Sequence, residues 1–211
     1  MVSKPAPFLS LSRGTSAFPE CYAKKSKLIA FVAFLFVLAI VLRLVPHGYN
    51  VAAVGALGMF VGCYWSLGLG ILISIAAMSV SDLVGHWMGV PSMGAYSVWL
   101  MATVYAATGV SAVVGKLIST VRNQIPGSLW LGVPAGAVLS GAAFFLITNF
   151  ACWFDPMLGY PRTMEGLMNC YVAAIPFAKG TFIGNLVYSC LFFGIYQAMT
   201  ASQTTKATAD A

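Results

Sequence analysis

From Leu28 to Leu42 the sequence reads LIAFVAFLFVLAIVL, a run with no hydrogen-bonding group except its own backbone. Away from water such a run has one stable form, the α-helix, in which every peptide N–H and C=O finds its partner inside the segment. Comparable runs recur along the chain, which is 60% hydrophobic and 8% charged, where soluble domains carry roughly 25% charged residues. The predicted fold class is an all-α integral membrane protein, a bundle of about six transmembrane helices.

A crossing of the hydrocarbon core takes about 20 mainly apolar helical residues, and that ruler divides the sequence. Spans are expected near 28–45, 51–64, 68–87, 95–118, 129–150 and 181–199. The second and third are short because the apolar region Val51–Met88 is too long for one crossing. Within it, YWSLG at Tyr64–Gly68 offers a turn with an interfacial aromatic pair. Residues 1–27 are read as a basic, disordered tail, 28–199 as the membrane domain with an outer loop or lid at 151–180, and 200–211 as a second tail.

The amino-terminal tail carries Lys4, Arg13, Lys24, Lys25 and Lys27 against Glu20 alone. A positive excess beside the first span marks the cytoplasmic side. Both termini are therefore expected in the cytoplasm, with Lys116, Arg122 and Lys206 on the same face. The net charge of +6 is thus read as orientation, and no nucleic-acid partner is expected. The first apolar run is too long for the core of a signal peptide, and no small-residue cleavage site follows it, so it is read as a retained span. The five cysteines contain no CxxC pair, which argues against a zinc ribbon or a dithiol redox site; a disulfide between Cys152 and Cys170 stays open. Small residues at Gly58 and Gly62, at Gly132, Gly136 and Ser140, and at Gly180 and Gly184 recur at intervals that let helices approach closely within the bundle.

The scarce polar groups gather toward the outer ends of these spans. Asp82 and His86, at i and i+4, share one face of span three, and an acid within a membrane span usually faces a partner or a cavity. Asp82 forms either a structural bond, to His86 or to a neighbouring helix, or with His86 a substrate- or cation-binding pair joined by His47. His47, Asp82 and His86 also have ligand types that suit a transition metal, although no closely spaced histidine cluster accompanies them. Asn185, Tyr188 and Ser189 make a polar stripe on span six that either bonds to a neighbouring span or lines a cavity. The segment ACWFDPMLGYPRTMEGLMNCYVAAIPFAKG, about thirty residues, exceeds what a helix connection needs. Its Trp153, Tyr160, Tyr171 and Phe177, with Arg162, Glu165 and Lys179, suit either a lid over a small polar ligand or an interfacial helix with belt aromatics.

Several segments taken together resemble a known pattern. These are R-x-x-P-H-x-x-N followed by V-G-A-L-x-x-F-x-G-x-Y (Arg43–Tyr64), S-D-L (Ser81–Leu83), T-N-F-x-x-W (Thr148–Trp153) and Y-P-x-T-x-x-G-L-x-x-C-Y-V-A-A-I-P-F (Tyr160–Phe177). They resemble an uncharacterised bacterial family of six-helix transport proteins. That family is similar to the S components, the substrate-binding subunits, of energy-coupling-factor transporters. The likeness covers about residues 43–194 and is most specific in the Y-P to P-F segment. It implies an outward-opening pocket beneath the loop after span one and the loop before span six, gated by Pro46, His47 and Asn50. Two departures stand out. Asn185 occupies a place where an aspartate is expected, and span one lacks the Ala-x-x-x-Ala face used for docking an energising module.

The resulting expectation is a multi-pass protein of a bacterial inner membrane that takes up a vitamin-like cofactor precursor, a metal or a metal chelate. Its ligand is expected near His47, Asn50, Asp82, His86, Asn149, Trp153, Tyr160, Arg162, Tyr171 and Asn185. Arg162 or Lys179 would hold an anionic group. No cofactor is expected, and no phosphate-binding G-x-x-x-x-G-K motif is present. Energy therefore falls to a gradient or to a partner module of the energy-coupling-factor type, and the remaining partners are membrane lipid and the small-molecule substrate. The alternatives are a membrane-embedded enzyme using Asp82 and His86, and a structural or assembly protein without a small ligand.

Overall fold

The computed structural model describes residues 18–45, 51–90 and 97–209, with side chains between 25 and 201. All regular structure among the described residues is helical: α1 (Phe18–Leu44), α2 (Val54–Tyr64), α3 (Leu67–Trp87), α4 (Val98–Gln124), α5 (Leu129–Phe154), one 3₁₀ turn (Pro156–Leu158) and α6 (Met164–Ala209). Five of the six α-helices are long and apolar enough to cross a membrane. His47 and Asn50, both assigned to the ligand by sequence, lie outside the described residues.

The exception is α2, expected as a full crossing. Its 11 residues extend about 16 Å at ~1.5 Å rise per residue, roughly half of the ~30 Å hydrocarbon core. It is nevertheless the most deeply buried element. Ala56, Leu57, Phe60 and Val61 are wholly enclosed, and of its residues only Gly55 and Tyr64 escape full burial. A helix that is apolar all round belongs inside other helices, and α2 packs against every one of the other five.

Glycine makes that enclosure possible. A Cβ on Gly62 would run into the backbone of Ala112, and one on Gly115 into the carbonyl of Met59, so α2 and α4 touch main chain to main chain. The small-residue intervals seen in the sequence thus serve packing within the bundle, as lipid offers little hydrophobic drive for association. The turn between α2 and α3 falls within YWSLG, where Ser66 adopts an extended conformation and its Oγ accepts from the Leu69 N–H at 3.3 Å.

The carboxyl-terminal third departs most from expectation. Instead of a loop over 151–180, α5 continues to Phe154 and α6 starts at Met164, running through Pro176. The connection is the short stretch 155–163. Gly159, at φ 69°, ends the 3₁₀ turn in the left-handed region, which costs glycine little. The hairpin is held by side chains: Tyr171 Oη donates to the Leu146 carbonyl at 2.7 Å, and the rings of Phe145 and Tyr171 meet at 5.8 Å. Tertiary packing here outweighs both the proline and the polar composition.

Asp155 joins this hairpin to α4. It is 2% exposed, accepts from the Ser97 hydroxyl, and caps the 3₁₀ turn through the Met157 N–H at 2.9 Å. Ser97 also caps α4 by accepting from the Leu100 N–H at 3.1 Å. Ser97→Ala removes a helix cap and one partner of a buried carboxylate. It is expected to cost about 1–2 kcal/mol, read as a lower unfolding temperature in detergent.

Candidate functional site

The chain contains a cavity of about 80 Å³ at the amino end of α2. All six α-helices reach it. Arg43 comes from the end of α1, Val54 and Gly55 from the first turn of α2, and Met78 from α3. Ala107, Thr108 and Ser111 contribute from α4, Ser140 and Phe144 from α5, and Thr181 and Asn185 from α6; Ala52 completes the wall. The site is small: pockets for drug-sized ligands occupy roughly 300–1,000 Å³.

The backbone places the start of α2 against α6. A Cβ on Gly184 would lie 2.9 Å from the Ala52 nitrogen, and one on Gly55 would collide with Asn185 Oδ1. Glycine at both positions lets the Asn185 amide lie against the first turn of α2. That turn begins at Ala53, which supplies no side-chain cap. The leading N–H groups of a helix carry partial positive charge, and here they lie beside the cavity.

Arg43 is the one charged residue in the lining among the described residues. Its Nε donates to Ser81 Oγ at 2.8 Å, its Nη2 pairs with Asp82 Oδ1, and Ser81 passes the bond on to the Met78 carbonyl at 2.8 Å. Tyr105 Oη donates to the second oxygen of Asp82 at 2.9 Å. The arginine and aspartate side chains are 20% and 18% exposed. Asp82 is therefore a brace that fixes Arg43 from behind and does not itself line the cavity.

Of the readings open for Asp82, the structural bond to a neighbouring helix is the one observed. Asp82 turns to Arg43 and Tyr105, while His86 is exposed and makes no side-chain hydrogen bond among the described residues. Guanidinium offers the carboxylate a full charge in the low-dielectric interior, which a neighbouring imidazole does not match. No cluster of metal-ligating side chains occurs among the described residues. Cys63, Cys152, Cys170 and Cys190 are free thiols.

Of the ten residues assigned to the ligand by sequence, Asn185 lines the cavity. Three others, Trp153, Arg162 and Tyr171, stabilise the α5–α6 hairpin, while Asn149 bonds back within α5. Asn149 Nδ2 donates to the Phe145 carbonyl at 2.7 Å, and Trp153 Nε1 donates to the Pro161 carbonyl at 2.8 Å. Arg162 donates to the Phe154 carbonyl at 2.6 Å and lies 4.3 Å over the Phe154 ring, while Tyr171 closes on Leu146. Tyr160 sits half-buried in the connection between the two helices, and Lys179 is exposed. Aromatic and charged composition pointed to a lid because the same residue types build a tight hairpin.

Sequence reasoning passed over Arg43 as a ligand-facing group, together with Thr108, Ser111, Ser140 and Thr181. A hydroxyl inside an apolar helix reads as packing, since it can bond back to its own helix. Most of those described here do so: Ser79 to Ile75, Ser111 to Thr108, Thr108 to Tyr105 and Thr148 to Phe144. Ser140 does not. It is 4% exposed, and its Oγ has no hydrogen-bond partner.

The opposite end of α2 is closed. Phe31, Phe60, Tyr64, Phe193 and Tyr196 stack into one aromatic cluster, with the Phe60 and Tyr196 rings 5.3 Å apart. The Arg122 guanidinium lies 4.8 Å over the Tyr64 ring. A cation there complements the negative end of the helix dipole. The chain thus has a mainly apolar cavity with a few polar groups at one tip of α2 and a packed seal at the other.

A family of unknown function, DUF6580, matches residues 23–208. No curated protein and no solved structure matches the chain.

Proposed function

We propose that this chain, which belongs to the family of unknown function DUF6580, is a membrane transport protein that binds a small solute at the amino end of α2. The reading is that of a substrate-binding subunit of the energy-coupling-factor kind, set in a bacterial inner membrane with both termini cytoplasmic and the solute entering from outside. The observation that carries it is the cavity where all six helices meet beside the start of a buried, half-length helix. Interrupted helices inside a bundle are a recurring solution for solute sites, because they present helix termini at mid-depth. Irregular backbone at membrane depth is tolerated where it is enclosed by protein or lines a cavity. The energy would come from a gradient or a partner module.

The size of the cavity narrows the cargo. At about 80 Å³ it suits a molecule of a few heavy atoms better than an intact vitamin or a metal chelate, which need several times that volume. Uptake of radiolabelled small solutes into proteoliposomes tests the proposal. Solute uptake down an imposed solute gradient is expected with the native chain and is expected to fall by about tenfold or more with Asn185→Leu, which fills the cavity and removes an amide from its wall. Trp153→Ala, remote from the cavity, should leave uptake near the native level in the protein that folds. Equal loss in both variants, or none in either, would sink the cavity as the solute site.

A further inference from the structure

The start of α2 turns its unbonded N–H groups toward the cavity. We infer that the cavity at the amino end of α2 binds a small anion, a monocarboxylate or inorganic oxyanion of about three to five heavy atoms. The inference rests on the reading of this cavity as the solute site and specifies its chemistry.

The first turn of α2 brings backbone N–H groups and the positive end of its dipole to the cavity, with no side-chain oxygen at Ala53 to compete for them. Enclosure sharpens the effect, since a helix terminus in a low-dielectric interior is screened less than one in water. Arg43 places a guanidinium in the wall, its charge balanced by Asp82 from outside that wall. No acidic residue lines the cavity among the described residues.

Ser140 supplies an independent observation. A serine in an apolar helix ordinarily satisfies its hydroxyl on the carbonyl three or four residues back, and leaving a buried hydroxyl unbonded is costly. Ser140 is 96% buried, lines the cavity, and has a hydroxyl without a partner. Asn185, 7% exposed, reaches the cavity from the other side and makes no side-chain hydrogen bond among the described residues. The Ser140 hydroxyl therefore brings an O–H donor to the cavity, while the Asn185 amide sets its oxygen toward Gly55 and its N–H₂ nearer Gly141. An oxyanion accepts from the Ser140 hydroxyl while taking the helix N–H groups, whereas a cation would meet the wrong sign at the start of α2.

Volume sets the size. A cavity of roughly 150 Å³ admits benzene, and this one has about half that. Acetate, formate and nitrate fall in the range; citrate or a nucleotide does not.

The test uses three solutes of one shape and different charge: acetate, acetamide and acetamidinium. Each is titrated against the full-length protein in detergent, at constant ionic strength set with gluconate, which is too bulky for the cavity. The readout is the unfolding temperature. Acetate is expected to raise it saturably, and the other two are not. Ser140→Ala and Asn185→Leu are each expected to raise the half-saturating acetate concentration by about tenfold. Because loss of Arg43 alone strands Asp82, the charge is tested in the double variant Arg43→Leu, Asp82→Leu, which should fold and lose the acetate response.

Acetamide or acetamidinium stabilising as well as acetate overturns the anion assignment; if that stabilisation is lost in Asn185→Leu, the cavity remains the solute site. An acetate effect unchanged in all three variants places the anion elsewhere and overturns the inference, as does the absence of any acetate effect. Acetate binding as expected without uptake into proteoliposomes would leave the anion site standing and remove the transport reading.

Discussion

Asp82→Ala is expected to be among the most damaging single substitutions in this chain, costing about 3–5 kcal/mol. The aspartate gives Arg43 its counter-charge inside the bundle and takes the Tyr105 hydroxyl on its other oxygen. Removing it strands a guanidinium in a region of low dielectric and leaves a phenol without its acceptor. Asp82→Asn keeps one acceptor oxygen and replaces the other, and the charge, with an N–H₂ donor, so it should fall between Ala and the native chain. The double variant Arg43→Leu, Asp82→Leu should recover much of the loss, because exchanging a buried ion pair for apolar side chains is often neutral, while breaking it is not. Thermal unfolding in detergent of the four proteins checks the order. A double variant as unstable as Asp82→Ala would mean that the carboxylate acts through something other than Arg43.

Gly115→Val should be comparably severe, for a steric reason. The Cβ would enter the space of the Met59 carbonyl, a main-chain atom that no rotamer change can move aside. Overpacking of a core costs about 1–3 kcal/mol when side chains yield; here α2 and α4 must separate, and a loss above about 3 kcal/mol is expected. Gly132→Ala provides the comparison, since its Cβ would meet only Ile118 at 3.7 Å, an ordinary contact. The yield of monodisperse protein from detergent should collapse for Gly115→Val and stay near native for Gly132→Ala. Similar yields would show that the close approach of α2 and α4 is not needed for the fold.

Much of the helical framework was legible from hydrophobic run length. The break at Tyr64–Gly68 was read from an aromatic pair and a serine–glycine turn, and α2 ends and α3 starts within it. What run length does not encode is whether an apolar helix faces lipid or other helices, since both surroundings favour the same side chains. The central position of α2 was hidden for that reason. The i, i+4 spacing correctly put Asp82 and His86 on neighbouring turns, yet the stronger partner of Asp82 came from Arg43 on another helix. Ser140 was noted only as a small residue, because an unbonded hydroxyl and a back-bonded one are identical in sequence. The loop assigned to 151–180 failed where packing of Tyr171 and Phe145 overrode composition.

At ~1.5 Å per residue, the 46 residues of α6 extend about 69 Å, while a bilayer with its headgroups is about 40–45 Å thick. Tilt and the proline absorb part of the excess, and the rest must leave the hydrocarbon layer. The early segment of α6 carries Met168, Val172 and Ile175 outward, side chains that prefer acyl chains to water. Lipid around this protein would then not form a level sheet: it would climb along the edge built by α5 and α6, and membrane thickness becomes a variable to which the protein responds.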